Sequence, residues 1–354
     1  MEVNMMTLRE KVGLLFSIRP GALDSRFDPA ELEYGIRPGA VRVTDAMCST
    51  YADYPCGGFT LFHKNMVDPD QFLALTHDLH ALGNVMIAIG EEGGHIARLA
   101  NHPAFSVPAF PPMETIARSS DPEKAYEVGK TIGGYLKEYG VDINYAPVAD
   151  VNTNPENPII GSRAFGSDPG KAAVFVRRCL EGLHEAGCLG CLKHFPGHGD
   201  TKTDSHTGYA ESTKTWEELL ECEMLPFCEG IRAGADLIMT AHIALPNVTG
   251  SDVPSTLSRM ILTEKLRGEL GFDGVIITDA LAMAAVADNY DSAEAAVRSI
   301  EAGADIVLMP LHYREAFDGV VRAVEEGRLS EARIDASAAR VLNLRERKSR
   351  LNHI

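Results

Sequence analysis

Residues 193–209 read KHFPGHGDTKTDSHTGY, with three histidines, two aspartates and two lysines in seventeen positions. Asp204 and His206 are separated by a single residue. A carboxylate beside an imidazole fixes its tautomer and raises its pKa, making it a proton donor and acceptor near neutrality. Zinc is the rival reading, because two histidines and an aspartate are good ligands. Their spacing, however, matches no H-E-x-x-H or C-x-x-C pattern. A polar loop without chemistry is the third possibility. Pro196, Gly197 and Gly199 argue for tight turns. Lys193 and His194 can hydrogen-bond the hydroxyls of a ligand, or they can salt-bridge within the protein.

A second centre of interest is Asp279 in GFDGVIITDALAM. An apolar run ends abruptly in a carboxylate. At a strand end such a group is held rigidly and suits a nucleophile, although aspartate also favours helix N-caps. Arg163 in IIGSRAFGSDP and Arg98 in EEGGHIARL each stand beside glycine-rich turns. Either can bind a polar ligand or stabilise a buried carboxylate. Glu91 and Glu92 precede Arg98 in the same stretch.

These residues need a scaffold. Short apolar runs at 12–18, 58–62, 85–89, 141–146, 188–192, 237–240, 275–278 and 306–309 read as buried parallel strands. Segments of helical period separate most of them, at 69–82, 122–139, 171–186, 216–233, 262–270, 293–302 and 313–326. Eight such units predict an α/β fold of the TIM-type (β/α)8 barrel kind; a doubly wound open sheet is the alternative. No linker or charge block divides residues 1–354, so a single domain is expected. A C-terminal helix at 329–350 would pack outside it. In such a barrel the chemistry lies on loops after the strands' C-terminal ends, where Glu91, Asp150, Lys193, His242 and Asp279 all fall. Residues 19–55 form an unusually long first connection, and connections of that length are commonly functional or disordered.

Composition narrows the function. The chain of 354 residues is 45% hydrophobic, with a formal net charge of -17. Such an acidic surface disfavours nucleic acid as a partner. No apolar run approaches the ~18 residues of a membrane span. The opening MEVNMMTLREKVGLLFSIRPG lacks the pattern of a secretory signal, and seven cysteines, an odd number, read as reduced thiols. A cytoplasmic location is expected. No cofactor is indicated, and the oligomeric state cannot be read from the sequence.

The segments KHFPGHGDTKTDSH, NPIIGSRAFGSDP, DLIMTAHIALPNV, PSTLSRMILTEKLRGELGFDGVIITDALAM and IDASAARVLNLRERK together resemble glycoside hydrolase family 3, in particular its single-domain β-N-acetylglucosaminidases. The similarity runs from residue 8 to about 348. It implies a TIM-type barrel and a retaining double displacement. By that resemblance Asp279 is the nucleophile that forms a glycosyl-enzyme, and His206 is the acid and then the base, oriented by Asp204. Lys193, His194, Arg163 and Arg98 hold sugar hydroxyls. Retaining glycosidases usually employ two carboxylates. A neutral imidazole repels an incoming anion less, so phosphate can take the place of water.

The resemblance breaks at G-E-E-G-G-H, where the family pattern is D-x-E-G-G-R. Gly90 replaces an aspartate that grips the far hydroxyls of the terminal sugar, and His95 replaces an arginine. Either Glu91 substitutes, or the substrate differs at that end. The 19–55 connection, carrying Arg19, Arg26, Arg37 and Arg42, is expected on the same rim and could rebuild the sugar pocket. The leading reading is an exo-β-N-acetylglucosaminidase acting on cell-wall or chitin fragments. The alternatives are a β-glycosidase or glycoside phosphorylase for another or modified sugar, a non-catalytic sugar-binding protein, and a metal hydrolase.

Overall fold

Eight segments, mostly apolar, become the strands of one parallel sheet: β1 (Phe16–Ile18), β2 (Gly58–Leu61), β3 (Met86–Ile89), β4 (Ile143–Asn144), β5 (Leu189–Phe195), β6 (Leu237–Thr240), β7 (Val275–Ile277) and β8 (Val307–Leu308). Every residue in them is buried, as expected of strands covered on both faces. In the computed structural model, which describes residues 3–34, 38–203 and 210–351, the strand order is β7-β6-β5-β4-β3-β2-β1-β8. A parallel bridge between Ile277 and Ile306 joins the two ends, and the Thr278 amide donates to the Ile306 carbonyl at 2.9 Å. The result is a TIM-type (β/α)8 barrel.

Helices cover the barrel, among them α1 (Leu8–Leu14), α2 (Asp45–Asp53), α3 (Pro69–Leu82), α4 (Glu123–Glu138), α5 (Pro169–Glu185), α6 (Trp216–Glu221), α7 (Met224–Arg232), α8 (Met260–Glu269), α9 (Ser292–Ala302), α10 (Tyr313–Glu325) and α11 (Glu331–Leu351). Three expectations change. The run at 12–18 is half helix, because Thr7 and Glu10 form a capping box that starts α1 and carries it through Leu14. The helical stretch at 216–233 breaks at Cys222, whose backbone (φ -131, ψ -82) leaves the helical region. The 19–55 connection is ordered in part. Thr44 caps α2, and the buried Asp24 carboxylate accepts from Thr44 Oγ1 at 3.1 Å and from Arg26. Arg26 is thereby spent on Asp24 and Arg42 is exposed; Arg37 lies outside the described residues.

The helix expected at 329–350 is α11, and it straps the N-terminal end of the barrel. Buried Asp142, Asp236 and Asp305 stand just before β4, β6 and β8. Each accepts an amide of a neighbouring strand: Ile87 at 2.8 Å, Gly190 at 2.9 Å and Ile276 at 3.0 Å. Each also meets a cation of α11: Lys348, Arg347 and Arg340 respectively. These ion pairs, each a buried carboxylate and a partly exposed cation, tie α11 across that face. The opposite rim is left for chemistry.

Candidate active site

Asp279 lies two residues past the end of β7 and is only partly covered. Its amide donates to Thr240 Oγ1 at 3.3 Å, and its Oδ1 accepts the Ala280 amide at 2.8 Å. Burial by itself would raise its pKa. The His242 and His194 imidazoles, the Ala280 amide and Lys193 outweigh that and hold the carboxyl below its ordinary value. Asp279 is therefore an ionised carboxylate on a rigid strand end, chemically fit for nucleophilic attack.

Across the mouth, Glu92 gathers two of the expected residues. It is 4% exposed. Arg163 donates to it through Nε at 2.9 Å and Nη2 at 2.8 Å, a two-pronged fork, and Lys193 Nζ lies 2.5 Å from Oε1. Burial opposes ionisation of Glu92. The Lys193 ammonium and the Arg163 guanidinium overcome this and bring its pKa down to about 2. Lys193 and Arg163 thus sit at the rim as oriented donors whose two charges share the single negative charge of Glu92.

His194, next along from Lys193, is held by buried Asp150. The Asp150 carboxylate accepts the His194 amide at 3.1 Å and Nδ1–H at 2.7 Å. That bond sets the tautomer and leaves Nε2 with no protein partner among the described residues. Asp150 also accepts the His198 amide at 2.6 Å. It thereby pins the turn that opens the 197–203 segment. Asp200 accepts from Thr153 Oγ1 at 2.8 Å, and Asn157 Nδ2 donates to the His198 carbonyl at 2.7 Å. A Cβ on Gly199 would lie 1.9 Å from the Val151 carbonyl oxygen, so only glycine permits this close approach. Asp204 and His206 lie outside the described residues.

The remaining expected residues behave differently. Glu91 is fully buried. Its carboxylate accepts the amides of Leu99 and Ala100, each at 3.0 Å, the Arg98 amide, and Tyr135 Oη–H at 2.9 Å. The expected sugar contact gives way to a structural one: Glu91 ties down the 91–100 hairpin and has no capacity left to replace a carboxylate at Gly90. Arg98 is partly buried, stands over Phe62 with 5.5 Å from Cζ to the ring centroid, and has a buried Nε with no hydrogen-bond partner. Glu92 and Asp150 fall on the expected rim, but the sequence assigns neither a role in the site. Their signal was a carboxylate at a strand end with a cationic motif elsewhere in need of balance.

Neutral positioning groups complete the β6–β7 side. Buried His242 is bonded through Nδ1 to Thr256 Oγ1 and through Nε2 to the Ala280 carbonyl, both at 2.9 Å. The first part of the 19–55 connection reaches the same rim. With Ala282 and Met309 it lines a cavity of about 330 Å³ that includes Arg19, Leu32 and Glu33. No group of three or more metal-ligating side chains occurs among the described residues, and none of their helices is long and apolar enough to cross a membrane.

Known proteins resemble this chain closely. Residues 7–344 match the glycosyl hydrolase family 3 N terminal domain. A beta-hexosaminidase A of Pseudoalteromonas piscicida is 34% identical over 82% of this chain, which spans 53% of that protein's length. A beta-hexosaminidase of Tolumonas auensis is 37% identical over 71% of this chain and 75% of its own. The solved family 3 beta-N-acetylglucosaminidase of Paenibacillus sp. str. FPU-7 superposes with a TM-score of 0.87 at 35% identity, covering 97% of this chain and 63% of that one. Together with the barrel and the Asp279 rim, these likenesses establish that the chain belongs to glycosyl hydrolase family 3.

Proposed function

We propose that the protein is a retaining exo-β-N-acetylglucosaminidase, built as one catalytic domain and working on the non-reducing end of cell-wall or chitin fragments in the cytoplasm. The observation that carries this reading is Asp279, ionised at the end of β7 and facing a rim of oriented donors from β4 and β5. Asp279 attacks the anomeric carbon. Lys193, Arg163 and His194 Nε2 hold ring hydroxyls or the N-acetyl group. His206, oriented by Asp204, protonates the leaving oxygen and later deprotonates the attacking water. Relatives named beta-hexosaminidase support the substrate class, and seven unpaired cysteines suit a reducing compartment.

The test is direct. A 5-fluoro glycosyl fluoride of N-acetylglucosamine should label the protein once, on the peptide containing Asp279, and aryl β-N-acetylglucosaminides should be cleaved. Labelling elsewhere, or no turnover of any aryl glycoside by well-folded protein, would overturn the reading. Initial rates with and without phosphate identify the acceptor: sugar 1-phosphate as product would make the enzyme a phosphorylase.

A further inference from the structure

The side of the mouth opposite the nucleophile is built unlike the rest. In the ring of eight strands, β3 and β7 stand four places apart in either direction. A sugar whose anomeric carbon meets Asp279 therefore directs its far edge, C4 and C6, towards the end of β3. Gly90 stands there. A Cβ placed on it would meet nothing within 4 Å among the described residues. The pairing of Leu61 with Ile89 puts Phe62 beside Gly90.

Two guanidinium groups converge on Phe62, Arg19 at 4.3 Å and Arg98 at 5.5 Å from the ring centroid. Arg19 Nε is likewise buried without a partner, but its Nη atoms donate to Glu33 and the Leu32 carbonyl, each at 2.6 Å. The Arg98 side chain donates no hydrogen bond among the described residues, and its Nε is buried. The carboxylates nearest to it in charge, Glu92 and Glu91, are already committed, one to Arg163 and Lys193 and the other to backbone amides and Tyr135. His63 and His102 stack alongside, with centroids 6.3 Å apart. Burial, Arg98 and His102 all push the His63 pKa down. After burial, the charges of Arg98 and His102 are the neighbours that disfavour a second cation at His63. A buried guanidinium nitrogen without an acceptor, as Arg98 Nε is, carries a cost that a ligand acceptor can relieve.

We propose that this pocket receives an anionic substituent, a phosphate ester or a carboxylate, on the C6 end of the terminal sugar, with Arg98 as its hydrogen-bonding partner and the space at Gly90 as its seat. Arg19 lies over the same ring, with its own charge paired to Glu33. The inference rests on the hydrolase reading only in taking Asp279 as the attacking end; the binding site stands without it.

The experiment has a turnover arm and a binding arm. Wild-type enzyme is assayed on 4-nitrophenyl β-N-acetylglucosaminide, its 6-phosphate and its 6-carboxylate analogue. The catalytically disabled Asp279→Asn is titrated with N-acetylglucosamine, its 6-phosphate and its uronic acid. An anionic sugar should be preferred by roughly tenfold to a hundredfold, the worth of one charge-assisted bond. Which of the two anions wins identifies the source. Arg98→Met should abolish the preference, and Gly90→Asp should reverse it towards the neutral sugar. Cleavage of the neutral glycoside with no preference for either anion would overturn the anionic pocket and leave the hydrolase standing. Preferential binding of an anion without turnover of any glycoside would leave the pocket standing and overturn the hydrolase. Equal binding of charged and neutral sugars in the titration overturns the pocket whatever the turnover shows.

Discussion

Lys193 Nζ and Arg163 Nη2 share one oxygen of Glu92, at 2.5 Å and 2.8 Å. Two cations, one in β5 and one in the loop after β4, are thus held by a single buried carboxylate, and removing its charge leaves both without this partner. Glu92→Gln should destabilise the fold by about 3–5 kcal/mol, the usual cost of breaking a buried ion pair. It should also lower kcat/KM at least roughly tenfold, which corresponds to ~1.4 kcal/mol of lost transition-state binding. Urea unfolding and steady-state kinetics check both. A variant with wild-type KM and kcat would show that Lys193 and Arg163 do not need this anchor.

The same carboxylate makes a pH prediction. Its pKa is near 4.3 in the unfolded chain and about 2 in the folded one. A depressed carboxylate contributes stability that is complete above the unfolded value and lost as pH falls through the folded value. The stability gap between wild type and Glu92→Gln should therefore be full above pH ~4.3 and shrink towards pH ~2. Thermal melts across that range measure it. A gap independent of pH would mean that Glu92 is not ionised.

Much of the barrel could be read from the chain because parallel strands buried on both faces leave short unbroken apolar runs, and 58–61, 86–89 and 237–240 are such runs. Asp279 and Lys193 could be found because a charge at the end of such a run has nowhere to go but the rim, and Arg163 because it stands beside glycine-rich turns. Glu91 and Glu92 could not be told apart. Neighbours on a strand point to opposite sides, so one meets the Leu99 and Ala100 amides and the other meets cations. Only the pairing of Glu91 with Ala97 decides which. Asp150 was visible as a strand-end carboxylate, but its bond to His194, 44 residues on, is a tertiary fact. The break at Cys222 has no proline or glycine at the break itself to announce it.

His206 is proposed as the proton donor to the leaving oxygen. An activated aryl leaving group needs little protonation, whereas an alkyl or sugar leaving group needs much. His206→Ala should then lose activity on N-acetylglucosamine disaccharides far more than on 4-nitrophenyl glycosides. Azide should rescue turnover of the aryl substrate by attacking the glycosyl-enzyme. Equal loss on both substrates would count against the acid role.

Asp150 holds His194 by accepting its Nδ1–H. An asparagine of the same shape keeps the space but can present an amide in place of an acceptor. Asp150→Asn should lower kcat/KM by about 10–100-fold, as loss of an orienting partner does elsewhere. Nitrogen-15 spectra should show His194 passing from a single Nδ1–H tautomer to a mixture. An unchanged tautomer alongside reduced activity would assign Asp150 to the 197–203 turn alone.

The β6–β7 side rests on a chain of hydroxyls. The Asp279 amide donates to Thr240 Oγ1 at 3.3 Å, Thr240 and Thr256 hydroxyls lie 2.7 Å apart, and Thr256 Oγ1 lies 2.9 Å from His242 Nδ1. The Ala280 carbonyl can only accept, so His242 Nε2 carries the proton, and the single Thr256 hydroxyl proton is shared between His242 Nδ1 and the Ala241 carbonyl 3.0 Å away. Burial lowers the His242 pKa, in keeping with a neutral ring. The chain therefore orients the backbone on both sides of the Asp279 carboxylate. Thr256→Val keeps the shape and deletes the central hydroxyl, leaving Thr240 and His242 short of a partner at a cost of about 1–3 kcal/mol. As a positioning residue, Thr256 should influence kcat more than KM, and Thr256→Ser should restore both. If Thr256→Val loses stability but cleaves aryl glycosides at the wild-type kcat, the hydroxyl chain serves only the fold and Asp279 is aimed by β7 alone.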